Sequence, residues 1–133
     1  MLDLLDPRRA ALLIIDPQNA FVHPQGTLGL SGVNIEPAGR SIPVIRKLAE
    51  AFGAAGAPVF WTKQEHLEID RRRARKRLPS HTSKRKQVSA LAGSWDAEFV
   101  DEIRDLAEAP EASIRHYGNF YIHPYTASEY PDS

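Results

Sequence analysis

AALLIIDP, residues 10–17, is a solid apolar run that stops at an acid held against a proline. Continuous rather than alternating hydrophobicity, closing on two β-branched isoleucines, predicts a short strand covered on both faces, as in a parallel sheet. In open parallel sheets the ligand crevice lies outside the carboxyl ends of the strands. Asp16 sits at such an end. A partly desolvated carboxylate there would have a raised pKa and could accept a proton. The plainer alternative is an Asx-turn acid that merely ends the strand.

Downstream, residues 21–39, FVHPQGTLGLSGVNIEPAG, are rich in Gly and Pro without a sustained period and read as a loop. Over residues 35–55, Ile42, Ile45, Leu48, Ala49 and Phe52 recur at helical spacing, with Lys47 and Glu50 on the opposite side. Gly56 is placed to end that helix in a left-handed conformation, and Pro58 cannot continue it. PVFWT, residues 58–62, then forms a second strand. Strand, helix, tight turn and strand make a βαβ unit, whose right-handed crossover implies parallel pairing.

Residues 63–87 carry the basic clusters RRRARKR and KRK and read as an exposed excursion. Without aromatic interleaving such a run is a solvated face or a lid over an anionic substrate, so nucleic acid is not an expected partner. Residues 97–108 place Phe99, Val100, Ile103 and Leu106 on one face of a second helix, with Ser94 as N-cap and Glu98 as its capping-box partner. ASIRHY, residues 112–117, is a third strand, and the tail after it is irregular.

The 133 residues suit a single domain, and 42% hydrophobic and 26% charged residues at zero formal net charge are ordinary for a globular chain. No cysteine is present, so no disulfide, thiolate metal site or thiol nucleophile is available from this sequence. The N-terminal stretch has no signal-peptide pattern and no window approaches a membrane span, which gives a cytoplasmic expectation and no membrane partner.

Trp61, Thr62 and His66 gather at the end of the second strand, where His66 would face Asp16 across the crevice. A lone histidine is weak as a metal site, because zinc takes three or four ligands. Trp95 in GSWDAE and the aromatics of HYGNFY, residues 116–121, suit either a pocket wall or core closure. There is no GxGxxG after a strand, no P-loop, no GxSxG and no HExxH.

Taken in order, ALLIIDPQNAFVHPQGTL, IPVIRKLAEAFGAAGAPVFWTKQEH, GSWDAEFVDEI and IRHYGNFY resemble four segments of the isochorismatase-like cysteine hydrolases, from about Arg9 to Tyr121. That resemblance implies a three-layer α/β/α fold with a parallel sheet, here truncated after the third strand: one domain over 1–133, incomplete at its C-terminal side. It implies hydrolysis of a small amide or ureido C–N bond by an Asp-Lys-Cys triad. Asp16 matches the first member. The lysine position counted back from Tyr117 falls on Ile114, and Arg115 is the nearest basic stand-in, although a guanidinium differs in shape and is always charged. The family cysteine lies on a later strand, so the chain is expected to be inactive as it stands. Gln18, Phe21, Trp61, His66, Trp95, Tyr117 and Phe120 are the candidate substrate contacts. KQEHLE lacks the Asp-x-His of the metal-binding branch, so neither metal nor cofactor is expected. With later strands missing, the first strand is left with an open apolar edge, which implies a homo-oligomer. The alternative reading is a non-catalytic binding or assembly protein that reuses the scaffold.

Overall fold

The computed structural model describes residue 6, residues 9–68 and 88–109, and the backbone of 113–117. The basic clusters, Phe120 and the tail lie outside these residues. Three strands, β1 (Leu12–Ile15), β2 (Val59–Gln64) and β3 (Ser113–Tyr117), form a sheet in the order β1-β2-β3, parallel throughout. The central β2 sets Ile14 level with Trp61 and Ile15 level with Thr62. On its other side Trp61 is level with Ile114 and Thr62 with Arg115.

The crossover from β1 to β2 runs through α1 (Asn19–Val22), α2 (Thr27–Leu30) and α3 (Glu36–Ala54). The α3 helix ends as its sequence predicts. Gly56 has φ 70°, its N–H donates to the carbonyl of Gly53, and Ala57 N–H donates to that of Phe52. Those two bonds close the Schellman pattern that satisfies the last helical carbonyls. Ile42 and Ala49 are buried from the expected face, while Leu48 stays exposed. The core joins them to Ile14, Trp61, Phe99, Val100 and, from α4 (Asp101–Ala107), Ile103 and Ala107. On the outside, Arg46 of α3 grips α4 with a two-pronged contact to the Asp105 carboxylate, at 2.8 and 2.9 Å.

Four local expectations are corrected. The stretch 21–39 is not irregular: it holds the end of α1, all of α2 and the start of α3. What its composition hid is a fold-back in which a Cβ at Gly26 would collide with the Asn19 carbonyl, so glycine is required there for close approach rather than for looseness. The helix expected from residue 97 begins at Asp101, after a 3-10 turn over Trp95–Ala97. Residues 98–100 are extended because Asn19 N–H bonds Glu98 O and Val100 N–H bonds Pro17 O, and this bridge outcompetes helical pairing. The Ser94 hydroxyl accordingly donates to Leu91 O and caps no helix. Finally, among the described residues β1 is covered on one face: Ile14 is buried, but Leu13 and Ile15 are 56% and 66% exposed, because α3 and α4 both pack on the Ile14 side.

Candidate functional site

Strand alternation divides the end of β2 into two sides. Trp61, Lys63 and Glu65 fall on the core side, and Thr62, Gln64 and His66 on the other. By the same alternation Asp16 would follow Ile14 onto the core side, but its backbone turns left-handed, with φ 52°. The turn carries the carboxylate across to Thr62. Thr62 Oγ1 donates to Asp16 Oδ1 at 2.7 Å and accepts the Asp16 N–H at 3.1 Å. Burial raises the Asp16 pKa above the ordinary carboxylate value, and the Thr62 hydrogen bond opposes that rise.

Gln18 knots the strand ends together. Its amide nitrogen donates to the carbonyls of Gln64 and Ala97, each at 2.7 Å, and its oxygen accepts the Gln64 N–H at 2.8 Å. Both amide protons are thus used inside the protein, leaving one lone pair for anything else. Farther along the same side, Gln64 Nε2 lies 2.8 Å from His66 Nε2, a contact in which the amide donates when the imidazole proton is on Nδ1. The buried His66 is also fixed through its backbone, which pairs with Ala90 and Ala92. Beneath this, the Asp96 carboxylate receives Thr27 N–H, the Thr27 hydroxyl and Ala90 N–H at 2.7 to 2.9 Å, bracing three separate segments.

The other sequence candidates are spread more widely. Trp61 is a core residue, 2% exposed, with its ring edge-on to Phe99 at 6.1 Å. Phe21 packs beside the small buried cluster of Ala20, Ala90 and Ala97. Trp95 is 43% exposed and stands edge-on to His23 with 4.9 Å between ring centres. Arg115 and Tyr117 are placed by backbone alone, level with Thr62 and Gln64 respectively. Ile114 is level with Trp61, so Arg115 is the residue of that pair at the register of the Asp16 partner. Thr62 and Gln64 were legible as the polar alternate positions 62, 64 and 66 at a strand end, a signal obscured by the equally polar Lys63 and Glu65 between them.

A separate cleft of about 300 Å³ is lined by Lys63, Glu65, Ser94, Glu98 and Arg104 among others, without Asp16. Its cations are already paired: Lys63 with Glu65 at 3.0 Å, and Arg104 with Glu98 at 3.1 Å and Asp101 at 2.7 Å. It is a salt-bridged groove on the core side of β2, with the Lys63 ammonium 5.9 Å over the Phe99 ring.

The raised pKa of Asp16 has a consequence for stability. The folded chain holds this proton more tightly than the unfolded chain, so ionising Asp16 weakens the fold as pH climbs from the ordinary carboxylate value to the elevated folded one. Above that window the penalty is fully present. Asp16→Asn removes it, and asparagine also tolerates a left-handed backbone. The variant is expected to melt at or above the wild-type temperature at neutral pH, and to lose that advantage in acid. Thermal melts at both pH values check this; a clear drop for Asp16→Asn at neutral pH would show that the charged carboxylate stabilises the fold instead.

Residues 10–124 match the family described as the Isochorismatase domain. The chain belongs to the isochorismatase family. The ureidoacrylate amidohydrolase RutB of Caulobacter segnis is 26% identical over 129 residues, covering 88% of this chain and 54% of the relative. Two solved structures share the fold at 23% identity. Nicotinamidase PncA from Bacillus subtilis has a TM-score of 0.58 over 81% of this chain and 55% of its own. N-carbamoylsarcosine amidase from Thermoplasma acidophilum has a TM-score of 0.54 over 80% of this chain and 50% of its own. The chain therefore spans about half the length of the relatives it matches. Its parallel α/β architecture is shared with both of these solved structures.

Proposed function

We propose that these 133 residues form a single isochorismatase-like unit carrying the proton-accepting half of an amidohydrolase site, for a small molecule with an amide or ureido C–N bond. Asp16 is the proton acceptor, Arg115 stands where the family lysine would serve, and Gln18, Phe21, His66, Trp95, Tyr117 and Phe120 are the proposed substrate surroundings; Trp61, expected among them, is a core residue on the opposite side of β2. The observation that carries the reading is the Asp16 carboxylate: at a parallel-strand end, on a left-handed turn, and raised in pKa by burial. The names of the matched proteins, an amidohydrolase, an amidase and a nicotinamidase, support the substrate class.

The same reading makes the 133-residue chain silent by itself, since it contains no cysteine to attack a carbonyl carbon. Incubation with nicotinamide and with N-carbamoyl and ureido acids, followed both by ammonia assay and by NMR of the protein, tests it. The expected outcome is saturable perturbation of the Asp16 and Thr62 signals without ammonia release. Release that disappears in Asp16→Ala would keep the role of Asp16 and overturn the silence. Neither binding nor release would favour the second reading, a non-catalytic assembly protein. The exposed Leu13 and Ile15 on β1 favour that alternative, and they also support self-association, which sedimentation of the purified chain would detect.

A further inference from the structure

Asp16 is an awkward residue for the conformation it holds. With Ala90 it is one of two described non-glycine residues at positive φ, and it precedes a proline. A left-handed backbone brings Cβ against the following carbonyl. A following proline further restricts the residue before it, towards extended conformations. Such a conformation persists only where its surroundings over-determine it.

The surroundings here are one hydroxyl and one backbone bond. Gln18 N–H donates to Asp16 O at 2.7 Å, closing the turn from below. Thr62 closes it from the side, and does so twice, through the backbone N–H and through Oδ1 of the same residue. A hydroxyl can accept one hydrogen bond and donate the other at the same time; an apolar isostere can do neither. The β-branch of threonine also restricts χ1, which keeps the oxygen aimed along the sheet edge. Thr62 is itself fixed by the ladder, level with Ile15 on one side and Arg115 on the other.

We propose that Thr62 is a positioning residue for Asp16: its hydroxyl clasps the backbone and the carboxylate together, holds the turn left-handed, and leaves Oδ2 as the oxygen that takes up a proton. In that arrangement Oδ1 is engaged, Oδ2 makes no hydrogen bond among the described residues, and the Thr62 proton stays on Oγ1 throughout. The part played by Oδ2 rests on the amidohydrolase reading. The clasp does not.

The experiment is a carboxyl-carbon NMR titration of Asp16 in the wild type, Thr62→Val and Thr62→Ser, with Asp16→Asn supplying the assignment. Valine removes the bond that favours the ionised carboxylate and leaves burial in place, so the Asp16 midpoint is expected to move up. The Asp16 amide-to-Hα coupling should also leave its left-handed value. Serine should restore both. An unmoved midpoint in Thr62→Val, or a Thr62→Ser protein that behaves like the valine variant, would overturn the proposal. Should Thr62→Val fail to fold, the wild type decides alone: a slowly exchanging Thr62 hydroxyl proton close to the Asp16 amide supports the clasp, and a freely exchanging one rejects it. None of these readouts needs turnover. An upward shift in a protein that neither binds nor cleaves amides would keep the clasp and reject only the hydrolytic reading.

Discussion

Trp61→Ala is expected to cost about 3–5 kcal/mol of folding stability, the range for deleting a large buried aromatic side chain. The residue is 2% exposed and sits on the central strand, where it touches the core formed by α3, α4 and β1. Neighbours on a central strand are hydrogen-bonded on both edges, so they cannot slide inwards to fill the space. The edge-on contact with Phe99 is lost as well, and such aromatic pairs add about 0.5–1.5 kcal/mol beyond area burial. Set against a typical total of about 5–15 kcal/mol, that loss removes from about a fifth to all of the folding stability. Urea denaturation followed by circular dichroism measures it. A loss below about 1 kcal/mol would mean that the core around β2 is far looser than its burial implies.

Gln18→Leu is the second large effect, and it arises from polar rather than apolar chemistry. Leucine fills much of the same volume but strands the Gln64 N–H and the carbonyls of Gln64 and Ala97. A buried backbone group left without a partner costs about 1–3 kcal/mol, so a loss of about 3–5 kcal/mol is expected. Amide exchange gives the sharper readout: the Gln64 N–H should lose protection well before the middle of α3 does. If denaturation shows less than about 1 kcal/mol and Gln64 stays protected, the knot is replaceable by water and Gln18 is not what ties β1 to β2.

Most of the scaffold was legible because its signals are local. The unbroken run before Asp16, the helical recurrence of Ile42 and Ala49, and the Gly56 stop each reflect physics acting within a few residues, and each stands in the structure where it was expected. Phe99 and Val100 show the opposite case. Their spacing suits a helix, and both are buried, but the donors of residues 19 and 100 pair across to the chain near Pro17 and Glu98 and hold the segment extended. A pattern of apolar positions states which side chains are inside and leaves open which backbone partners they will have. The site divides in the same way. Asp16 was visible as an acid at a strand end, whereas its left-handed turn and its attachment to Thr62 depend on a residue far along the chain. Gln18 was singled out for contact with a ligand; its partners on β2 and the Trp95–Ala97 turn emerge only when the two strand ends meet.

The register of the sheet sets the order in which such a chain can become ordered. Leu12 is level with Val59, and Phe60 with Ser113, so each ladder closes a loop of about fifty residues. Loop-closure entropy of this kind is met before the first inter-strand bond returns anything, while α3 and its Gly56 turn involve only near neighbours. Helical structure thus has a head start over the sheet. The Asp16–Thr62 pair spans the first of those gaps, so it has no counterpart in any state that lacks the β1–β2 ladder. A signal from that pair therefore reports that the β1–β2 ladder has formed, whatever the local state of α3.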